Sequence, residues 1–497
     1  MSEEPGDTSG APGEEQAAQP AEKPDQPESS ADEAADKPGE PESKRVSWVE
    51  LYFDLIFVFA VGQTTEIMVA SPNGSGFGRA AGLFAMLWWT WIGFVVLYNR
   101  HHEDRSLQRL FVLAGTLPCA VAAVETSSAS HGHVMAFAFA LAAARLVLAL
   151  AFTFTAERAR QVAIGYGVSA AVFVASAFVP SPERFVLWAF ALIQEAGFLL
   201  LRNGELPAEG GAQQDGAEGE GAERDGAESD GAERAARKRG AGRPGQPDAD
   251  HGKRRGRQSR ARRSRADSLR AMLEPPKDPS RRVDAGHLAE RFGLMIMILL
   301  GEVVVAVAGS AVGVPAHNVP YWTALLAGLV LAAALWWVYF TAAAPISESV
   351  LRASGGNPAM AYGLYAAGHL SPAFALLAMS AGVSLAITGH APQDSAWFTA
   401  GGLAAYLLGS RVMFLGKTPG LTGKSRESGP LPRLALAAVV ICVALLEPYI
   451  SAAGVVLVSA LLAIVIAGDL TWRMPGRMQG IAADPLSYFR RDSDSSR

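Results

Sequence analysis

Cysteine is nearly absent from this sequence, and charge is nearly absent from its long apolar stretches. Cys119 and Cys442 are the two cysteines in 497 residues. Both fall inside apolar runs, which excludes a disulfide framework and a cysteine-based metal site. They read as small buried hydrophobes. The first 46 residues lack the apolar core of a secretory leader. They are acidic and rich in Pro, Glu and Ala, so no signal peptide is expected there. No phosphate-cradling glycine loop, zinc-protease helix or nucleophile elbow occurs, and the chain is expected not to be an enzyme. The net charge of -5 carries little weight, because most charged residues stand in the tails and one loop.

What the sequence does have is apolar length. Hydrophobic residues make up 50% of it and the mean hydropathy is +0.17, an average held down by the polar segments. Six apolar runs lie at about 48–70, 79–99, 107–126, 133–155, 161–180 and 184–201. Six more lie at about 287–311, 320–344, 360–388, 395–415, 431–448 and 452–472. About 20 residues cross roughly 30 Å of hydrocarbon. Inside a bilayer the backbone must satisfy its own hydrogen bonds, so such runs are helices. The expected fold is therefore all-α: a polytopic membrane helix bundle of about 12 transmembrane helices, as two parallel six-helix repeats.

The expected organisation has five parts. Residues 1–46 form a disordered acidic tail, 47–202 the first six-helix half, and 203–283 a disordered cytoplasmic insert. Residues 284–472 form the second half and 473–497 a polar tail. The insert begins with spaced Gly-Ala-Glu triplets (216–218, 221–223, 226–228, 231–233) and turns Arg-rich over Arg234 to Arg265. With a cytoplasmic N-terminus, the inside loops hold Arg100, Arg105, Arg109, Arg158, Arg160, Arg352, Lys417, Lys424, Arg426, Arg433 and the Arg-rich insert. The outside loops hold only Arg79 and Arg184. That asymmetry predicts a multi-pass protein of the bacterial cell (inner) membrane with both termini cytoplasmic.

The two halves match weakly but in order. Phe53-x-Leu55 followed by Gly62-Gln63 corresponds to Phe292-x-Leu294 followed by Gly301-Glu302. Trp88-Trp89 corresponds to Trp336-Trp337, Arg145 to Arg411, and Glu195 to Asp469. An ancestral duplication explains four matches in one order. Six helices per half make the repeats parallel, an arrangement found in some secondary transporters with sites between the halves.

Ionisable groups inside spanning helices cost about 2.5–3.5 kcal/mol at the helix centre on insertion scales, so they need a reason. Glu50 and Asp54 stand four apart, on one face of the first helix, with Gln63 and Glu66 further along. The seventh helix opens His287-x-x-Glu290-Arg291, whose last two residues are charge-pair candidates, and carries Glu302 deeper. Arg145 could pair with Glu195 or Asp54, and Arg411 with Asp469 or Glu290. One reading makes such pairs packing locks. The other leaves Glu302, Asp54 and Gln63 without a fixed partner, lining a polar pathway for a proton, ion or solute. Glu50 and Asp54 also suit the positive end of a helix. His287 and Glu290 could supply two metal ligands, but two ligands do not make a site, and no metal or cofactor is expected. His369 and the tryptophans of the second and eighth helices read as packing groups. The stretch 234–265 is a candidate for contact with anionic lipid. Nucleic acid is not the expected partner, and a disordered tether is the plainest reading of the insert.

Two stretches resemble a known family. Trp48-Val-Glu50-Leu-Tyr-Phe53-Asp54-Leu55-Ile-Phe57-Val is similar to the opening signature of the bacterial low temperature requirement A family (LtrA). His287-Leu-Ala-Glu290-Arg291-Phe292-Gly293-Leu294, with Leu-Leu-Gly301-Glu302 after it, is similar to the second signature. Trp88-Trp89-x-Trp91 with Asn99 and Asp104, and Trp336-Trp337-x-Tyr339-Phe340, also fit. The resemblance spans about 47–202 and 284–472. Thr341 stands where the family usually has an Asp, and the insert 203–283 is longer than the family usually carries. The resemblance implies a part in growth at low temperature, which membrane fluidity, solute uptake or osmolyte balance would each serve.

The function expected from all this is proton- or ion-coupled transport of a small solute. Its site would lie between the first and seventh helices, with Glu302 and Asp54 as proton or cation acceptors and Gln63 binding the solute. The expected partners are the lipid bilayer and an unknown small solute or ion. The alternative is a non-transporting membrane scaffold or cold sensor whose insert binds partners.

Overall fold

The computed structural model describes residues 46–99, 106–155, 160–203, 272–312, 314, 318–389, 396–412, 431–445 and 449–483. All of these lie in one compact unit, Ser43–Arg497. The expected tail before Val46, the insert as far as residue 271, and the chain after 483 lie outside the described residues.

Every regular element described is helical; besides the short helix Thr126–Ser130 and the 3-10 turn Pro279–Arg281, successive segments join into twelve rods. The first half comprises α1 (Trp48–Ala70), α2 (Gly74–Asn99), α3 (Ser106–Val124), α4 (Met135–Thr155), α5 (Arg160–Ser176) and α6 (Glu183–Asn203). The second comprises α7 (Ala285–Ala311), α8 (Val319–Ala353), α9 (Pro358–Thr388), α10 (397–412), α11 (Leu431–Leu445) and α12 (Ala452–Ala483). Eight rods are long and apolar enough to cross a membrane: α1–α4, α7–α9 and α12. The described parts of the other four are shorter than a span. Helices α5 and α11 have only 17 and 15 described residues, below the roughly 20 a span needs. Helix α6 is fully described over 183–197 only. Helix α10 opens with a widened turn and its described part is short. Helix α12 runs to Ala483, past residue 472, where the apolar run ends.

The bundle has an apolar core, and large apolar side chains cover its outside as well. On α1, Trp48, Tyr52, Leu55 and Phe59 face outward, while Glu50, Asp54, Thr64 and Thr65 are buried. Lipid tails are as apolar as leucine, so helix association rests on close packing and interior polar contacts. Glycines supply the closeness. Gly93 lies against Leu148 and Tyr166, Gly115 against the Phe94 ring, Gly328 against Val383, and Gly382 against Thr399; a side chain at any of them would overlap its neighbour.

Within each half the rods pack in a similar order. Helix α1 lies on α2 and α3, α3 on α4, and α4 on α5; α7 lies on α8 and α9, α9 on α10, and α10 on α11. The contacts between halves are not reciprocal. Helix α1 lies against α9, whereas among the described residues α7 makes no comparable contact with α3.

Three widened, π-type turns occur in the second half, at Tyr339–Ala343, Tyr362–Ala367 and Trp397–Gly401. Two have a visible cause. Pro345 and Pro372 have no N–H to give to the carbonyl four residues earlier, so the turn before each proline opens. The carbonyls that the second turn releases are taken up elsewhere. Trp88 Nε1 donates to Ala366 O (2.9 Å) and His369 Nδ1 to Leu364 O (2.9 Å). A carbonyl only accepts, so Nδ1 carries the hydrogen and Nε2 accepts from the Tyr339 hydroxyl (3.0 Å). His369 thus ties two widened turns together.

Candidate functional site

Helices α1 and α7 begin side by side, and each is capped before its polar residues appear. Ser47 and Glu50 form a reciprocal capping box at the start of α1. Asp284 caps α7 by accepting from the His287 N–H (3.1 Å). The spacing then does the rest. Glu50 and Asp54 are four apart on α1, and His287 and Arg291 are four apart on α7, so each pair shares one helical face. The two faces meet. Arg291 Nη1 stands 2.6 Å from Glu50 Oε1, Arg291 Nη2 donates to Asp54 Oδ1 (2.8 Å), and His287 Nε2 lies 3.2 Å from Glu50 Oε1. All four side chains are at most 2% exposed.

Helix α2 completes the cluster. Trp91 Nε1 donates to Asp54 Oδ1 (2.8 Å), and the Arg291 guanidinium carbon lies 5.9 Å from the Trp91 ring centroid. At the end of α2, Asn99 Oδ1 accepts from the Asp284 N–H (3.2 Å). Its amide group lies 3.3 Å from His287 Nδ1. This orientation makes Nδ1 the acceptor and leaves Nε2–H to Glu50. Glu50 and Asp54 thus face Arg291, with His287 against Glu50, at the N-terminal ends of α1 and α7, which favour negative charge. Asp54 was expected to lack a fixed partner and line a pathway. It is instead held by Arg291 and Trp91.

Glu302 lies three turns along α7 from Arg291, about 16 Å at 1.5 Å per residue. Its carboxylate rests against Gly62 and the Thr65 side chain of α1. From α9, the Ser380 hydroxyl donates to the Glu302 backbone carbonyl (3.3 Å). Glu302 is 9% exposed and has no ion-pair partner among the described residues. Gln63 donates to Glu66 on its own helix (3.3 Å).

A second buried ion pair joins Arg145 of α4 to Glu195 of α6, Nε to Oε1 at 3.0 Å. Arg145 Nη1 also donates to the Thr90 hydroxyl of α2 (2.6 Å), and its guanidinium carbon sits 4.5 Å over the Phe173 ring of α5. The alternative pairing of Arg145 with Asp54 does not occur. Glu290 does not join either cluster: it is exposed and accepts from the Val46 N–H (3.2 Å). One helical position separates it from Arg291, which turns it about 100° away. His287 is buried against Glu50 while Glu290 is exposed, and among the described residues no three His, Cys, Asp or Glu converge for a metal. Asp469 is exposed on α12, and the Arg411 side chain lies outside the described residues. Thr90 and Phe173 carry no signal in a single sequence. Trp91 and Asn99 stand within the family signature but read there as packing and loop residues.

Residues 45–468 match the family described as bacterial low temperature requirement A protein (LtrA). The chain belongs to that family, and it is an integral membrane protein. No curated protein and no solved structure matches it.

Replacing Arg291 with Met should lower stability by about 3–5 kcal/mol, because Glu50 and Asp54 would then be buried without a counter-charge. Adding Glu50→Gln and Asp54→Asn to Arg291→Met should recover part of the loss. Unfolding of the detergent-purified protein measures both; a single variant as stable as wild type would contradict the cluster.

Proposed function

We propose that this member of the low temperature requirement A family carries a small solute across the membrane coupled to a proton or cation, and that Glu302 is the acceptor of that ion. One observation carries the reading. Of the buried acids among the described residues, Glu50, Asp54 and Glu195 each face an arginine, and Glu302 faces none. An acid kept deep in a spanning helix without a counter-ion is costly, and such groups mark ion and proton pathways. Gly62 leaves room beside its carboxyl oxygens, and Thr65 offers a hydroxyl that can share a proton or ligate a cation. Asp54 has no part in this reading, because Arg291 already holds it. No catalytic role is assigned to the chain.

In liposomes loaded with a pH-sensitive dye, the wild-type protein should dissipate an imposed pH gradient. Added Na⁺ and K⁺ gradients tell proton from cation coupling. Glu302→Gln should slow this by roughly tenfold or more, since losing ~1.4 kcal/mol of ion binding already costs that factor. Equal rates for wild type, variant and empty vesicles would contradict the reading.

We further place the chain in the bacterial cell membrane with both termini cytoplasmic, on the support of its Lys/Arg distribution. His133→Cys, in the loop before α4, should then react with an impermeant maleimide on intact cells. Ser259→Cys, in the insert, should react only after permeabilisation. The reverse pattern would invert the topology.

A further inference from the structure

We propose that the Arg145–Glu195 pair forms one wall of a binding site for a small zwitterionic solute, of amino-acid class, with an ammonium and a carboxylate close together. The proposal rests on the transport reading above and names the class of its solute.

The pair is buried, with Arg145 0% and Glu195 2% exposed, and it is only half engaged. A guanidinium and a carboxylate that serve packing alone gain most from two parallel hydrogen bonds. Here a single bond joins Nε to Oε1, and Nη1 turns away to Thr90. Arg145 Nη2 and Glu195 Oε2 have no hydrogen-bond partner among the described residues, and neither has Trp89 Nε1, next to Thr90 on α2. Buried polar atoms are seldom left in this state. A cationic donor and an anionic acceptor of one ion pair, and a neutral donor on α2, are thus buried without a partner.

The surroundings favour the same ligand. The Trp89 ring meets the Tyr362 ring edge-on at 5.7 Å, and Tyr362 stands within electrostatic reach of Glu195. Aromatic faces beside a carboxylate suit an ammonium group. An anion alone would be repelled by Glu195, and a cation alone by Arg145; a molecule carrying both charges meets neither penalty. The site also lies where a transported solute needs it. Arg145, Glu195 and Trp89 belong to the first half, and Tyr362 opens the widened turn of α9 in the second. Helix α6 touches the start of α9 at this seam. A widened turn is a place where a helix can change register or bend, which gives a closed site a way to open.

Calorimetric titration of the full-length detergent-purified protein with glycine, β-alanine and trimethylglycine tests this, with acetate and methylammonium as single-charge controls. At least one zwitterion should bind saturably, while the controls bind far more weakly. Trp89→Phe keeps the ring and removes the N–H, and should weaken binding about fivefold, as one lost hydrogen bond does. Glu195→Gln should weaken it further. Two results would overturn the proposal: no zwitterion binding to wild-type protein that is monodisperse and unfolds cooperatively, or binding unchanged in both variants. Ion flux that depends on Glu302 without zwitterion binding would sink this proposal and leave the transport reading. Zwitterion binding without such flux would do the opposite.

Discussion

A charge in a low-dielectric interior must meet an opposite charge or a dense set of hydrogen bonds, and the arrangement of this bundle follows from how that demand is met. Two buried arginines answer it for three of the four buried acids. Arg291 binds α7 to α1 through Glu50 and Asp54, with Trp91 bringing in α2. Arg145 binds α4 to α6 through Glu195 and to α2 through Thr90. Helix α2 is thereby fixed by both clusters, one linking it to the second half and one within the first. Breaking such a pair costs more than forming it gains, because the partner is left buried and charged. The pairs therefore specify which helices are neighbours, while glycine contacts such as Gly328 on Val383 and Gly382 on Thr399 set how closely they approach.

Aromatic rings connect the first of these clusters to the irregular part of the second half. Phe292, next to Arg291, packs 4.9 Å from Trp91, 5.0 Å from Tyr365 and 4.9 Å from His369. His369 and Trp88 in turn hold the carbonyls released by the widened turn before Pro372. A rotation of α9 at that turn would thus be felt by the α1–α7 ion cluster through a continuous set of packed rings. Glu302 lies on the same helix as Arg291, where α9 also reaches it through Ser380.

Much of this was legible in the sequence, and the gaps have physical causes. The apolar runs, the helical class and the family signatures followed from composition and pattern. The scarcity of charge inside the membrane narrowed the partner of Arg145 to Glu195 or Asp54, and only the approach of α4 to α6 decides for Glu195. Arg291 stands among the charge-pair candidates, but which acids it holds was not legible. Its nearer acid in sequence, Asp54, is 237 positions away, and helical periodicity says which residues share a face, not which faces meet. For Asp54 the sequence leaves open a pair with Arg145 or no fixed partner, and only the packing of α7 against α1 supplies Arg291. Glu290 and Arg291 are adjacent in sequence yet one faces outward and the other the core, which the run of residues alone does not decide. Thr90, Phe173 and Tyr362 are neutral side chains in a chain full of them, and only their neighbours give them a role.

The central claim is that the buried acids divide into arginine-held groups and one open group, Glu302. Treatment of the membrane-embedded protein with dicyclohexylcarbodiimide, followed by peptide mass spectrometry, tests that division directly, because the apolar reagent reaches carboxyl groups inside the bilayer and an ion pair protects them. The account predicts modification at Glu302, with Glu50, Asp54 and Glu195 spared until Arg291 or Arg145 is replaced. Modification of the arginine-held acids in the intact protein, with Glu302 untouched, would contradict it.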